Sequence, residues 1–503
     1  MGRGKVIFSG VAWTVINNVV SILYGIISVP FLINYFGKEE YGLIGIALSV
    51  NVYIQLLDMG MTNSNIRFFS EFLAKEEKDN VQKLFSLTHL IYLILGLINT
   101  ILLFGISFFV KDLFKVTPEQ AITLKNLLLI LAVNVTFSWI STCFDQFLTA
   151  NELIDWIKKR SALLKLLQFI ILALTIFFKK SIEFYFFGYI FLATIILPLS
   201  IIKTKKIAPG LKLNFSFNKE IFNIIFSYAL SIFSFSIFQF LALNSRPLIL
   251  GNVSGPGAVA EFNIMNTIAS VVTILSGSFM QVLLPIFTKM SVASDQQGIN
   301  KIIIDGTKYV TILLSFLIFL LIIAVKEIFT LYVGEKYSIL SPWMILWLLT
   351  LLLSHRNVMT SLVFTEKNLK SVVIMGAIAM ILAITGYIIL VPKYGVGGVV
   401  IGFTIHEMIH TLFYYLYFLP NKFQIDTKYV FSHSVLPVWV VLGGACGIFF
   451  LILSNIDTSI PIWLSAIIKC CLLGVVMLIF VWFVLLNKND KKFLLQLIAG
   501  RDN

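Results

Sequence analysis

Apolar runs of about twenty residues recur from one end of the chain to the other, each long enough to cross a hydrocarbon core of about 30 Å as a helix. They lie near residues 7–35, 40–62, 84–110, 122–148, 157–178, 182–202, 220–250, 257–286, 303–325, 339–364, 371–391, 396–419, 431–454 and 460–486. Short polar stretches separate them; the narrowest, between the fifth and sixth runs, is only "FKKSIEF". The pattern predicts an all-α polytopic membrane protein of about fourteen transmembrane helices. One stretch departs from it. "LLDMGMTNSNIRFF", residues 56–69, turns polar where the second run ends, with Asp58, Asn63, Asn65 and Arg67 arriving within ten residues.

Composition agrees with a lipid solvent. Of 503 residues, 58% are hydrophobic and 13% charged, with a mean hydropathy of +0.94, whereas soluble domains carry about 25% charged residues. The formal charge of +13 does not imply a nucleic-acid partner, because the basic residues lie between the apolar runs, where they set orientation. The segment "KTKKIAPGLKLNFSFNKE" holds Lys203, Lys205, Lys206, Lys212 and Lys219 against Glu220, while "GNVSGPG" at the other end of the seventh run holds no basic residue. This asymmetry predicts that both termini are cytoplasmic. The first run is too long for a cleavable signal and no A-x-A site follows it; "MGRGKV" lacks the Ser/Thr of a myristoylation site. Cys143, Cys446, Cys470 and Cys471 all fall inside apolar runs without metal-ligand spacing, and read as packing residues.

A weak internal repeat divides the chain. "NIRFFSEFLAKEEKDNVQK" (65–83) aligns without gaps on "LLPIFTKMSVASDQQGINK" (283–301), and "LTANE" (148–152) on "FTEKN" (364–368) at nearly the same spacing. The expected organisation is a six-span lobe at 1–202, a basic cytoplasmic linker at 203–219, a second six-span lobe at 220–420, and two extra spans with a cytoplasmic tail at 421–503. Duplicated lobes with a substrate site between them are a transporter architecture.

The pieces "YFGKEEYGLIGIALSV", "LLDMGMTNSNIRFFSE", "VLLPIFTKM" and "PKYGVGGVVIG", in this order over about the first 420 residues, resemble bacterial polysaccharide flippases of the multidrug/oligosaccharidyl-lipid/polysaccharide exporter superfamily. The resemblance implies two six-helix bundles around a central cavity that opens alternately to either side. It also implies a cationic cavity for the diphosphate of a polyprenyl-linked sugar, such as an undecaprenyl-diphosphate-linked O-antigen or lipopolysaccharide precursor, in the bacterial inner membrane. Membrane lipids and a polysaccharide polymerase complex are the further partners it implies, and drug exporters are the twelve-span relatives.

Ionisable residues within a bilayer are costly and face protein or water rather than lipid. Asp58 and Arg67 are about 13 Å apart along a helix, too far to pair; with Asn63 and Asn65 they line the inner mouth of a cavity, or else a snorkelling Arg67 and a locally bonded Asp58 merely end the helix. Arg246, Arg356 and Lys469 lie within apolar runs. Arg356 is either a diphosphate anchor or half of a structural pair with Glu366 or Glu407; Arg246 is either an anchor or a snorkelling residue; Lys469 belongs to a peripheral span. The acids Asp58, Asp145, Glu261 and Glu407 are candidates for H+ or Na+ coupling, or neutralise nearby cations. Asn17, Asn18, Gln239, Asn244, Asn263 and Asn266 are candidates to bond sugar hydroxyls, with helix packing as the alternative.

"HEMIH" (406–410) has the H-E-x-x-H form of a zinc metalloprotease. A third ligand is wanted, and after residue 410 only Asp426 and Asp457 stand as carboxylates ahead of the C-terminal tail, both in loops; the one "DG" (305–306) precedes the motif. The expectation is therefore no enzyme, no bound metal and no cofactor, with His355, His406 and His410 as cavity or packing residues. No G-x-x-x-x-G-K-[ST] occurs, so transport would draw on an ion gradient, the membrane potential or downstream use of the substrate.

Overall fold

The computed structural model describes residues 3–293, 295–363, 369–454, 460–488 and 490–491. Among these the regular structure is helical throughout. Thirteen of the described helices are long and apolar enough to span a membrane, and a helix bent by 64° between Ser231 and Ser236 brings the candidates to 14. They coincide with the apolar runs of the sequence to within a few residues, or a turn or two at some helix ends.

Two compact units are present. The first comprises residues 1–267 and 383–399. Its helices are α1 (Arg3–Phe36), α2 (Lys38–Ile54), α3 (Met61–Ala74), α4 (Lys78–Phe108), the short α5 (Val110–Leu113), α6 (Pro118–Ala150), α7 (Ile154–Phe177), α8 (Ile182–Ile207), the bent α9 (Lys219–Val253) and the start of α10 (Pro256–Val292). The second comprises 268–382 and 400–503. It contains the rest of α10, α11 (Gln296–Ile323), α12 (Val325–Val333), α13 (Ser341–Leu351), α14 (Asn357–Val363) and most of α15 (Lys370–Tyr394). It continues with most of α16 (Val396–Phe413), short α17 (Leu419–Phe423) and α18 (Thr427–Val430), then α19 (Leu436–Ser454) and α20 (Ile462–Phe480). Helix starts recur along the chain: Lys38 and Pro256, Lys78 and Gln296, Ile154 and Lys370, Ile182 and Val396 are separated by nearly equal lengths of sequence. Gly37 and Gly255, at φ +93° and +85°, make the same break before α2 and α10.

Local chemistry sets several helix starts. Thr117 and Gln120 form a reciprocal capping box ahead of α6, with Pro118 in the first turn, where its missing N–H costs nothing. Asn218 caps α9 by accepting the Ile221 N–H at 3.0 Å. Packing inside the first unit relies on small residues and hydroxyls, since lipid offers no hydrophobic drive between helices. Gly96 of α4 lies against the backbone of Thr136 on α6, and the Thr100 hydroxyl bonds Thr136 Oγ1 at 2.9 Å and the Ala132 carbonyl at 3.0 Å. Phe69, Phe85, Phe144 and Phe147 form an edge-packed cluster.

The polar stretch 56–69 carries a break at the end of the second span, which runs from Lys38 to Asp58. After α2 the chain takes a 3₁₀ turn over Gln55–Asp58, Met59 and Gly60 adopt left-handed conformations, and α3 begins. Irregular backbone at membrane depth persists only where protein or a cavity satisfies it, and here Asp58 does so by accepting the Thr62 N–H at 3.1 Å. Gly60, at φ +78°, sits so close to the Ala229 carbonyl that a Cβ would come within 2.8 Å of it. Gly60→Ala combines a left-handed penalty of about 1–2 kcal/mol with this clash. The stability of the purified protein in detergent, followed by thermal unfolding, is expected to fall by that amount or more; an unchanged midpoint would show that the break tolerates a side chain.

Candidate functional site

Two cavities follow one another along α9 in the first unit. One, of 340 Å³, is lined by α2 from Tyr41 to Val52, by Leu243, Asn244, Arg246 and Pro247 of α9, and by Phe262, Asn263, Asn266 and Thr267 of α10. Arg246 is its single charged lining residue among the described residues. Its Nε donates to the Leu243 carbonyl at 2.7 Å, and the guanidinium carbon lies 5.2 Å from the centre of the Phe262 ring. Those contacts orient the side chain within its own helix turn and over an aromatic face. Asn244 donates to the Phe240 carbonyl at 3.0 Å, which leaves its amide oxygen for other donors. Four residues singled out in the sequence, Arg246, Asn244, Asn263 and Asn266, thus come together in one place.

The other cavity, of 380 Å³, is lined by Gln55–Asn63, by Val135, Ser138, Trp139 and Thr142 of α6, and by Phe233, Ser236, Ile237 and Phe240 of α9. Asp58 is its single charged residue among those described. The carboxylate accepts from the Thr62 N–H, the Thr62 hydroxyl at 3.0 Å and the Tyr92 hydroxyl at 2.9 Å. Behind it, Gln146 donates to Tyr92 at 2.5 Å and to Thr62 at 3.1 Å, and Asn65 donates to Gln146 at 3.1 Å. A network so connected holds Asp58 in one orientation.

The remaining expected residues stand elsewhere. Asn65 is fully buried in the packing between α3 and α6 and does not face a mouth, because the amide pairs with Gln146. Arg67 is exposed, its guanidinium carbon 4.1 Å from the centre of the Tyr228 ring, outside both cavities. Asn17 is buried and Asn18 half-buried on α1; neither lines the two cavities, nor does the exposed Gln239.

Most candidate coupling acids already have cations. Glu261 accepts from Lys38 at 2.6 Å, and Asp145 from Arg160 at 2.5 Å, with Ser200 beside it at 3.3 Å. In the second unit Arg356 grips Glu407 through both guanidinium nitrogens, and both side chains are buried. Arg356 therefore occupies the structural-pair alternative, with Glu407 as its partner; Glu366 lies outside the described residues. Lys469 pairs with Glu327. Asp58 is the one coupling candidate for which the described residues supply no cation.

The second unit also places the histidines. His355 bonds the Leu352 carbonyl through Nδ1 at 2.8 Å and the Tyr415 hydroxyl through Nε2 at 2.9 Å. His406 contacts Glu407 at 3.2 Å, and its ring lies 4.6 Å from that of His410. Glu407 is thus held by Arg356 and His406, and among the described residues no group of three His, Cys, Asp or Glu is placed to hold a metal ion.

Sequence reading missed two features. Val135, Ser138, Trp139 and Thr142 follow the i, i+3, i+4, i+7 spacing of one helix face, which would have marked α6 as a cavity wall. Lys165, at mid-length of α7, is a further cation within a span; it lies 5.1 Å from the centre of the Tyr24 ring and 5.9 Å from that of Tyr189.

A polytopic helical membrane protein with polar cavities inside its helical packing has the build of a transporter. The chain belongs to the polysaccharide biosynthesis protein family, whose model matches residues 7–291. Its fold is similar to that of the lipid II flippase MurJ in an inward closed conformation, at 18% identity, covering 94% of this chain and 99% of that one with a TM-score of 0.71. It is also similar to an inward-facing MATE family multidrug resistance transporter of the MOP superfamily, at 16% identity, 82% and 96% coverage and a TM-score of 0.62. The MATE multidrug transporter DinF-BH, in a ligand complex, gives 16%, 84% and 97%, and 0.63. No curated protein matches the sequence.

Removing one half of a buried ion pair strands the other charge, at about 3–5 kcal/mol, whereas replacing both by apolar residues is often neutral. Arg356→Ala should therefore strongly lower the unfolding midpoint, and Arg356→Met with Glu407→Leu should recover most of it. Full stability of the single variant would show that the pair holds nothing together.

Proposed function

We propose that the protein is a flippase that carries a polyprenyl-diphosphate-linked oligosaccharide from the cytoplasmic to the outer leaflet of a bacterial inner membrane. The observation that carries this reading is the cavity where Arg246 stands as the single charged residue described in the lining, among Asn244, Asn263 and Asn266, in a chain of the polysaccharide biosynthesis family. A guanidinium fork matches phosphate oxygens and keeps its proton, and carboxamides donate to and accept from sugar hydroxyls. The lipid II flippase MurJ, whose fold this chain shares, supports the same reading. In it, both termini are cytoplasmic, and lobes at 1–202 and 220–420 alternate in opening, joined by the basic linker 203–219. The sugar is of the undecaprenyl-diphosphate-linked kind used for surface polysaccharides such as O-antigen, and a polymerase complex takes it up on the far side.

Coupling to H+ or Na+ belongs to this proposal as well. Asp145, Glu261 and Glu407 would have to leave Arg160, Lys38 and Arg356 to bind an ion, whereas Asp58 would not. That same carboxylate, set among aromatic residues and without a described cation, favours a second reading, a drug/cation antiporter. Its signature would be a shift in drug susceptibility on overexpression with surface polysaccharide unaltered.

The direct test is deletion of the gene with lipid-linked sugar counted in each leaflet. Outward delivery should stop and be restored by the wild-type chain; normal delivery without the protein, and with no related flippase present, would overturn the reading. Losing a charge-assisted bond worth about 1.5–3 kcal/mol, Arg246→Ala should deliver roughly 10- to 100-fold more slowly. Arg246→Lys should recover part of the rate, since an ammonium keeps the charge and loses the fork.

A further inference from the structure

The two cavities along α9 carry charges of opposite sign, and their order along that helix says how a ligand would lie. Arg246 faces one; Asp58 faces the other. From Ser236 to Arg246, helix rise gives on the order of 15 Å, so one extended headgroup can reach into both. A diphosphate belongs at the Arg246 end. What remains is the chemistry that fits the Asp58 end.

That cavity offers a carboxylate held by three donors, the amides of Gln55 and Asn63, the hydroxyls of Ser138, Thr142 and Ser236, and the part of the largely buried Trp139, packed against Tyr92, that reaches its wall. Aromatic faces carry negative potential and pack against the C–H face of a pyranose ring. A carboxylate accepts its hydroxyls in charge-assisted bonds, and neutral amides accept from and donate to them. An anionic substituent would meet Asp58 with no described cation to offset the repulsion.

We propose that this second cavity is a sugar subsite, and that Asp58 and Trp139 make it selective for an uncharged pyranose over a uronic acid. The proposal rests on the flippase reading and extends it from a class of carrier to a preference among sugars. Specificity arises here by excluding the wrong ligand as well as by holding the right one. Asp58 acts on the bound sugar directly; Thr62 and Tyr92 act through Asp58, by fixing its orientation.

The test uses the full chain in lipid nanodiscs and three probes: farnesyl diphosphate, and the same diphosphate carrying glucose or glucuronic acid. The wild type should bind the glucosyl probe at least tenfold more tightly than the bare diphosphate, and the glucuronosyl probe no more tightly than the bare one. Asp58→Asn keeps an acceptor for the Thr62 N–H and should bring the glucuronosyl affinity up towards the glucosyl one. Trp139→Ala should cut the advantage of the glucosyl probe over the bare diphosphate at least fivefold, with Trp139→Phe intermediate; thermal unfolding shows that each variant is folded. Equal affinity for the two sugar probes in the wild type, or ratios unmoved by both substitutions, would overturn the subsite. If bare diphosphate fails to bind, or binds independently of Arg246→Gln, the flippase reading falls instead. The subsite is then judged by methyl glucoside against methyl glucuronide, through quenching of tryptophan fluorescence that Trp139→Phe abolishes; no quenching, or equal quenching by both, would overturn it.

Discussion

An ion that leaves water for the interior of a membrane protein is costly unless a counter-charge, polar protein groups or a water-filled cavity replaces its hydration. That constraint organises this molecule. Lys38 meets Glu261, Arg160 meets Asp145, Arg356 meets Glu407, and Lys469 meets Glu327. Arg160 and Asp145 tie the consecutive helices α7 and α6, and the other three pairs join segments distant in sequence, so each fixes how two segments pack. Lys469 ties α20 to α12 in this way, which gives a very apolar span a specific neighbour. Pairs of this kind specify an arrangement more than they stabilise it, because desolvation offsets much of the attraction.

Two further charges line cavities. Arg246 is oriented by its own helix turn and by the face of Phe262, and Asp58 by the neutral donors of Thr62 and Tyr92. Arg356, by contrast, is spent on Glu407, and a phosphate arriving there would compete with a bidentate carboxylate in a site that excludes water. The same chemistry that makes guanidinium a good phosphate ligand makes it a good structural element, and position alone decides between them.

Much of the fold could be read from residues. The apolar runs mark the helices because a bilayer demands uninterrupted hydropathy, and "LDMGMTN" marked the end of the second span, but not the left-handed turn and the new helix that follow it. Asn244 and Arg246 were visible on α9, and Asn263 and Asn266 on α10, as polar residues in apolar runs. Their meeting in one cavity was not visible, since it depends on how α2, α9 and α10 pack. Glu407 was legible, with Glu366, as a candidate partner of Arg356, but other partners were hidden: 145 and 160, or 327 and 469, share no periodicity that a single sequence displays. Lys165 went unnoticed because its helix opens with Lys158, Lys159 and Arg160, and one more basic residue continued the run. Asn65 was misplaced for the opposite reason. It shares the polar stretch with Asn63 and sits two residues on, but on a helix that step turns it to another face, into the core.

The break at Gln55–Gly60 binds these threads. A continuous helix through residues 38–74 would keep its own backbone bonds and would need no Asp58 to cap α3. Interrupting it releases backbone donors that the bilayer cannot satisfy; a carboxylate is recruited for them, and Tyr92, Thr62 and Gln146 are recruited in turn to hold the carboxylate. The turn that creates the need also opens the space beside it, lined by Met59, Gly60 and Asn63 on one side and Trp139 on the other. Structural necessity therefore places a fixed negative charge at the wall of a cavity. Within the flippase reading, selectivity among sugars is a consequence of how the second span had to be broken, with Asp58 serving the backbone on one side and the ligand on the other.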